Sequence, residues 1–139
     1  LNDFPYDQID VLVAGIGTGG TIVGLSRRLR ESYPGIKVIG VEPPPDDIIQ
    51  GLKCIGHGLV PPILDLSLVS ERASVTSRQA AATARELLKK EGIFAGLSSG
   101  AVVHQAIKLA NKMSEGNIAV VLADGGWKYL SMDFWTKHI

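Results

Sequence analysis

The sequence predicts an α/β domain of three layers, in which a mostly parallel sheet lies between helices. Stretches of strand and helix character alternate along most of the chain, and the first strands are continuous apolar runs rich in β-branched residues. Such runs are typical of parallel strands that are covered on both faces. A glycine-rich turn joins the first strand to the first helix. With 139 residues and no internal repeat, residues 1–139 are expected to form a single domain.

The first predicted unit is a βαβ unit over residues 9–42. Residues 9–14 form an apolar run that stops at a glycine turn, residues 15–20. After the turn, apolar residues at helical spacing predict a helix, namely Ile22, Leu25 and Leu29. Tyr33-Pro34-Gly35 ends that helix, residues 37–42 form the second strand, and three consecutive prolines prevent its continuation. The order strand, helix, strand predicts a right-handed crossover between parallel strands.

The remaining elements follow a long segment without periodicity. Residues 43–65 contain five prolines and three glycines, which indicates a surface excursion of the kind that often carries function. A short strand is predicted over residues 70–75, and Thr76 or Ser77 then caps a helix that Gly92 closes. A third helix follows Ser98-Ser-Gly100, and residues 118–123 predict a buried strand.

Composition excludes several classes of protein. Fourteen basic and fourteen acidic side chains balance, and no basic run is long enough for a nucleic-acid or membrane surface. The longest uncharged stretches have 16 residues each, fewer than the roughly 18 that span a bilayer. Neither nucleic acid nor a membrane is therefore an expected partner, and no metal site is predicted. Cys54 is the only cysteine and no signal peptide precedes the first strand, so a cytoplasmic location is expected.

The glycine turn has two functional interpretations. Gly15-x-Gly17-x-x-Gly20 lies between a strand and a helix, and Glu42 ends the second strand 22 residues later, as in dinucleotide-binding folds. Any phosphate, however, is bound well by bare backbone N–H groups at a helix start. The hydroxyls of Thr18 and Thr21 suit a terminal phosphate monoester with three free oxygens. A phosphate monoester, a dinucleotide and a purely structural turn all remain open at this point.

Five ordered motifs extend this pattern over nearly the whole chain. They are Gly17-Thr-Gly-Gly-Thr21, Gly40-Val-Glu-Pro43, Gln50-Gly51 with Gly58-Leu-Val-Pro61, Glu91-Gly-Ile-Phe-Ala-Gly-Leu-Ser-Ser-Gly-Ala101, and Tyr129-Leu-Ser131. In this order they resemble the cysteine synthase and cystathionine β-synthase family of fold-type II pyridoxal-phosphate enzymes. Residues 123–131 and Gly51-Leu-Lys53 resemble more narrowly the branch that uses O-phosphoserine, while the O-acetylserine branch remains possible.

The resemblance implies roles for particular residues. Gly17, Thr18, Gly19, Gly20 and Thr21 would hold the phosphate of pyridoxal 5'-phosphate. Ser98 would lie against the pyridine nitrogen, where a hydroxyl leaves the ring unprotonated; the structural alternative makes Ser98 only a helix cap.

Three further residues complete the expected site. Asp124, at the carboxyl end of a strand, is a candidate to face the cofactor ring. Lys53 and His57 are candidates for substrate binding. Lys53 replaces an arginine of the phosphoserine branch, so it matches in charge without the bidentate geometry.

The resemblance also predicts what the chain lacks. The Schiff-base lysine of the family lies upstream of the first strand found here, so residues 1–139 correspond to the C-terminal portion and are expected to be inactive alone. The expected parent activity is synthesis of L-cysteine from O-phosphoserine or O-acetylserine and a sulfur donor, by a homodimer. The alternatives are a nicotinamide-dependent oxidoreductase, a non-catalytic fragment, and another fold-type II reaction such as serine or threonine dehydration.

Other polar residues have simpler explanations. Under the pyridoxal interpretation, Glu42 is expected to be structural or to face solvent. Cys54 is expected to fill a small apolar space. His104 and His138 are expected to be packing or surface residues.

Overall fold

The computed structural model describes residue 5, residues 7–58 and residues 60–135, without the side chains of His57 and Phe134. It shows an α/β fold of three layers, with four strands between one helix on one face and two on the other. The strands and α-helices, in chain order, are β1 (Val11–Gly15), α1 (Gly20–Ser32), β2 (Lys37–Glu42), β3 (Glu71–Ser74), α2 (Ser77–Glu91), α3 (Leu97–Ala110) and β4 (Ile118–Val120). The predicted fold class is confirmed.

The sheet has the order β3-β2-β1-β4, and all its strand pairs are parallel. Val11 of β1 is in register with Lys37 of β2 on one side and with Ile118 of β4 on the other. The chain first adds β2 and β3 on one side of β1. It later adds β4 on the other side, so the strand order reverses direction at β1. In open α/β sheets, ligands bind at the carboxyl ends of the strands around such a point.

Each face of the sheet has its own core. Val11 and Val13 of β1 point toward α2 and α3, where they join a cluster that includes Ala80, Ala84 and Ala101. The alternate residues Leu12 and Ala14 belong to the cluster on the other face, with α1. Because successive side chains of a strand point to opposite faces, a strand buried on both must be apolar throughout. This explains the continuous apolar runs.

Local signals fix the ends of α2. Thr76 accepts a hydrogen bond from the N–H of Gln79, and the Gln79 side chain accepts one in return from the Thr76 N–H, which makes a capping box. Gly92 ends the helix in the left-handed region, at φ 69°. Thr76, one of the two residues predicted to cap this helix, is therefore its N-cap. The predicted end at Gly92 is confirmed.

The structure corrects two predictions. The buried strand expected over residues 118–123 is shorter, Ile118–Val120, and only half-buried, because it lies at the edge of the sheet and the chain then turns toward the carboxyl ends of the strands. The segment 43–65 is also not simply a surface excursion. Ile49, Ile55 and Leu64 are buried, so this segment packs against the sheet and α1.

No helix within the described part of the chain has the length and apolar character needed to cross a membrane.

Candidate functional site

A cleft of about 350 Å³ opens at the carboxyl ends of β1 and β4. Four stretches of chain form its walls: the glycine loop before α1, the pair Gly51 and Leu52, the start of α3, and the segment after β4. Its lining residues are Ala14, Gly15, Gly17, Thr18, Gly19, Thr21, Gly51, Leu52, Ser98, Val102, Val121, Ala123, Asp124 and Lys128. The cleft thus combines segments that are far apart in sequence.

The glycine loop presents bare backbone to this cleft. A Cβ at Gly17 would lie 2.7 Å from the carbonyl oxygen of Gly51, so a side chain cannot be accommodated there. Gly19 has φ +97°, and a Cβ there would lie 2.8 Å from that of Leu64. Both positions therefore require glycine, one for space and the other also for conformation.

The same loop leaves polar groups available. Gly19 caps α1 without any side-chain hydrogen bond to the first turn. Thr18 and Thr21 are exposed, and their hydroxyls form no hydrogen bond within the described part of the protein. The first N–H groups of a helix lack intrahelical partners and carry the positive end of the helix dipole. This is a suitable environment for an anion.

Ser98 lies at the second residue of α3, on the opposite wall. The helix is capped by Gly96 with no side-chain hydrogen bond, so the structural alternative that made Ser98 the cap is wrong. Ser98 is 7% exposed, and no hydrogen bond to its hydroxyl is seen among the described residues. Its hydroxyl is therefore available to a group in the cleft.

The carboxylate of Asp124 lies against Tyr129 and Gly96. Its Oδ2 accepts a hydrogen bond from the Tyr129 hydroxyl at 2.5 Å, while its Oδ1 is buried without a hydrogen-bond partner among the described residues. Burial, together with the nearby Asp124 carboxylate, raises the pKa of Tyr129 to about 12. A Cβ at Gly96 would collide with Asp124 Oδ1, so the approach of this carboxylate requires glycine.

A short backbone pairing links these two walls. Ala95 and Gly125 form an isolated antiparallel bridge. The N–H of Gly96 donates to the carbonyl of Asp124 at 3.0 Å, and that of Gly126 donates to the carbonyl of Phe94 at 3.0 Å. This pairing brings the start of α3, with Ser98, next to the residues that follow β4, with Asp124.

Two further predicted site residues do not line the cleft. Gly20 is the first residue of α1 and is absent from the lining, and Lys53 is exposed outside it. His57 ends a 3-10 turn, and its side chain lies outside the described part of the structure.

Eight lining residues are not among the predicted site residues, namely Ala14, Gly15, Gly51, Leu52, Val102, Val121, Ala123 and Lys128. Lys128 has its Nζ 5.5 Å from the centre of the Trp127 ring. Its position after the predicted strand 118–123 is a sequence signal that could have indicated it.

Glu42, the candidate ribose ligand of the dinucleotide interpretation, has both oxygens occupied by the protein. Oε2 accepts from the N–H of Ile55 at 2.7 Å, and Oε1 accepts from Nη1 of Arg72 at 3.2 Å. It is buried, at 9% exposure. The expectation of a structural carboxylate is thus confirmed, and the role of a ribose ligand is not available to it.

Cys54 is partly exposed and belongs to neither core cluster, so it does not fill a space in the core. His104 packs between α3 and α2, where its Nδ1 is 3.2 Å from the Thr83 hydroxyl. Burial, with a smaller effect of the Lys108 charge, lowers the pKa of His104. His138 lies outside the described residues. Within those residues, no group of three or more His, Cys, Asp or Glu side chains could hold a metal ion.

Comparison with known proteins defines the class to which this fold and cleft belong. Residues 1–124 match the family described as pyridoxal-phosphate dependent enzyme, and the chain belongs to that family. Within it, the chain is 36% identical to the cysteine synthase of Buchnera aphidicola subsp. Acyrthosiphon pisum (strain APS), over 94% of this chain and 47% of that protein. It is 45% identical to the cysteine synthase of Aquifex aeolicus (strain VF5), over 89% of this chain and 39% of that protein.

Solved structures agree with this grouping. O-ureido-L-serine synthase superimposes with a TM-score of 0.86 at 34% identity, over 97% of this chain and 45% of that one. Cysteine synthase from Entamoeba histolytica superimposes with a TM-score of 0.84 at 33% identity, over 94% of this chain and 41% of that one. The chain spans about half the length of the relatives it matches.

The residues present fit the phosphate end of the family's cofactor. The glycine loop forms a cradle of bare backbone. A Cβ at residue 17 would lie too close to Gly51, and a Cβ at residue 19 too close to Leu64, so side chains at these positions would fill it. Beside it lie the hydroxyls of Thr18 and Thr21, which have no hydrogen-bond partner among the described residues, and the start of α1, which receives no side-chain cap there. Backbone N–H groups, hydroxyls and a helix N-terminus are the donors that a phosphate monoester prefers.

Proposed function

We propose that this chain forms the cofactor-binding portion of a pyridoxal-phosphate dependent cysteine synthase, which makes L-cysteine from an activated serine and a sulfur donor. The observation that carries the proposal is the convergence of the glycine loop, Ser98 and Asp124 on one cleft. The cysteine synthases among its relatives support the choice of reaction. Bound pyridoxal phosphate supplies the electron sink through which the β-substituent of the amino acid is replaced.

The glycine loop binds the phosphate in this proposal. The N–H groups at residues 17–21 and the hydroxyls of Thr18 and Thr21 donate to its oxygens, and the start of α1 favours its negative charge. Gly20 contributes through its backbone position at the first residue of the helix. The loop would therefore bind a phosphate monoester more strongly than an uncharged group.

Ser98 and Asp124 act on the ring side of the cleft. The free hydroxyl of Ser98 accepts or donates a single hydrogen bond and adds no negative charge, so it leaves a pyridine nitrogen neutral. Asp124 borders the same space with its orientation fixed by Tyr129.

Lys53 and His57 belong to the substrate side of this proposal. Lys53 is fixed through its backbone, because its N–H donates to the carbonyl of Ile16 at 2.7 Å, while its side chain is exposed. An exposed ammonium there is suited to a phosphate leaving group, and this favours O-phosphoserine over O-acetylserine as the activated serine. His57 lies two positions beyond the backbone anchor at Ile55.

The whole protein is further proposed to be a cytoplasmic homodimer in which a segment outside these 139 residues supplies the Schiff-base lysine. The 47% and 39% coverage of the two cysteine synthases supports a division of the site between this portion and another.

Turnover by the full-length protein tests the proposed reaction. Incubated with pyridoxal phosphate, sulfide and either O-phosphoserine or O-acetylserine, it is expected to release cysteine, detected by a colorimetric assay. A higher kcat/KM for O-phosphoserine supports the assignment of Lys53, and Lys53→Ala should reduce that preference. No cysteine with either substrate, together with tight binding of NAD, would establish the oxidoreductase instead.

A further inference from the structure

Glu42 connects three separate parts of the fold. It is the last residue of β2, its carboxylate is nearly buried, and its two oxygens serve different partners. Oε2 accepts from the backbone N–H of Ile55, in the segment after β2, at 2.7 Å. Oε1 accepts from Nη1 of Arg72 on β3 at 3.2 Å. The carboxylate therefore joins the end of β2 to the segment that contains Ile55.

That segment is a wall of the cleft. Gly51 and Leu52 line it, four and three residues before Ile55. The Gly51 carbonyl lies 2.7 Å from the position of a Cβ at Gly17, and a Cβ at Gly15 would collide with the Leu52 side chain. The wall has two backbone anchors toward the sheet, the N–H of Lys53 to the carbonyl of Ile16 at 2.7 Å and the N–H of Ile55 to Glu42. If one anchor is lost, the wall can move away from the glycine loop.

We propose that Glu42 is a positioning residue for the cofactor cleft, which holds the wall of residues 51–55 against the glycine loop through the Ile55 N–H. This inference rests on the proposed function, since it takes the cleft as the site of pyridoxal phosphate. A carboxylate suits the task because a charged acceptor binds a backbone N–H more strongly than a neutral one. Arg72, half-exposed, compensates the charge that would otherwise be buried alone.

The test compares variants of the full-length enzyme by two measurements. The first is hydrogen exchange of the amides of residues 51–55 in the enzyme freed of cofactor; the second is the Kd of pyridoxal phosphate, from equilibrium dialysis. Glu42→Ala removes both contacts. Glu42→Gln keeps an acceptor for the Ile55 N–H, and Arg72→Met removes only the ion pair.

Asp10→Ala is the matched control. Asp10 Oδ2 accepts the backbone N–H of Asn117 at 2.7 Å, the same kind of contact and distance, but at the amino end of β1, away from the cleft. Its loss is expected to lower the melting temperature without changing the cofactor Kd or the exchange of residues 51–55.

Glu42→Ala is expected to accelerate exchange of the Ile55 amide and to raise the cofactor Kd by about tenfold, roughly the loss of one net hydrogen bond. Glu42→Gln should restore both to within about threefold, and Arg72→Met should lie between, since an ion pair with a half-exposed partner contributes less. Unchanged exchange in Glu42→Ala would overturn the proposal. So would faster exchange with an unchanged Kd, which would make the contact merely structural. If the wild-type enzyme binds no pyridoxal phosphate while exchange still responds, the proposed function fails and the anchoring of the wall stands.

Discussion

Ser98 and Ser99 are adjacent hydroxyls at the start of α3 with different surroundings. Ser98 borders the cleft, whereas Ser99 is fully buried and its Oγ has no hydrogen-bond partner among the described residues. In the full-length enzyme, Ser98→Ala should keep much of the activity. Ser98→Asp should lower it strongly, because a carboxylate there favours a protonated pyridine nitrogen. The visible spectrum of the bound cofactor and kcat provide the measurement.

Ser99→Ala serves as the control for these variants. It removes a buried, unpaired hydroxyl and should leave the spectrum unchanged and the stability equal or slightly higher. If Ser98→Asp shifts only the melting temperature and not the spectrum or the rate, Ser98 has no role toward the ring.

Thr21 distinguishes a phosphate site from a general binding cleft. Its exposed hydroxyl lies in the first turn of α1, next to the cradle of glycines. Thr21→Val should weaken binding of pyridoxal phosphate by about tenfold or more, since a hydrogen bond to a charged group contributes about 1.5–3 kcal/mol. Binding of unphosphorylated pyridoxal should hardly change. Thr83→Val, on α2 and away from the cleft, is the control, and equal weakening of both ligands would contradict a phosphate role.

Tyr129 gives the stability a dependence on alkaline pH. Burial, with the hydrogen bond to Asp124, raises its pKa from 10.0 to about 12, so the folded protein retains a proton that the unfolded chain releases. The stabilisation is complete below pH 10 and is lost as the pH rises toward 12. Tyr129→Phe should remove this dependence and, at pH 7, cost about 1–3 kcal/mol by leaving Asp124 Oδ2 without its donor. Urea unfolding at pH 7, 10 and 11 measures both effects, and an equal pH slope in the two proteins would argue against this assignment.

At the residue scale, the sequence indicates most clearly the positions where the backbone geometry requires glycine. Gly17 is required by its close contact with Gly51, and Gly19 by its positive φ and its contact with Leu64. Such requirements are visible in a sequence because only glycine meets them. Glu42 could have been a ribose ligand on spacing alone, because a carboxylate at the end of β2 has the same position in both roles. Leu52 reaches the cleft through tertiary contacts that no local pattern encodes.

Gly100 permits a close backbone contact between α2 and α3. A Cβ at Gly100 would collide with the carbonyl oxygen of Ala80, so the two helices approach through bare backbone. Gly100→Ala must separate them and is expected to cost about 1–3 kcal/mol, as overpacking does in cores.

Gly24→Ala is the matched substitution in α1. No atom lies within 4 Å of a Cβ there, so the same change should stabilise by about 0.5–1 kcal/mol through helix propensity. Chemical denaturation of both variants tests the pair. A Gly100→Ala protein as stable as Gly24→Ala would show that the helices are free to adjust.

Element boundaries were predictable where a local stop or start signal exists. The Thr76 and Gln79 capping box and Gly92 define α2, and the prolines after Glu42 end β2 as predicted. The strand at residues 118–123 was overestimated because an apolar run does not show which strand lies at an edge. Val121 still donates to the carbonyl of Val13, but at a long 3.4 Å, as the chain leaves the sheet for the cleft.

At the scale of the whole molecule, the lysines determine what this portion can do alone. Of the lysines that the structure describes, Lys128 alone lines the cleft, and its ammonium lies over the Trp127 ring. Because the proposed Schiff-base lysine lies outside these 139 residues, a polypeptide of residues 1–139, mixed with pyridoxal phosphate and reduced with borohydride, should show no stoichiometrically labelled lysine on peptide mapping. Lys128→Ala is the control for incidental labelling. Stoichiometric labelling of Lys128, with turnover of an activated serine and sulfide, would show that this portion carries its own catalytic amine.

The position of β1 in the sheet also sets the order in which the molecule can assemble during synthesis. β1 pairs early with β2, but its other neighbour begins 107 residues later, and closing so long a loop is slow. The glycine loop thus emerges from the ribosome well before Asp124 and Lys128 complete the cleft around it. If the cleft binds the cofactor as proposed, we expect its capture to be a late step of biogenesis, after synthesis of residue 128.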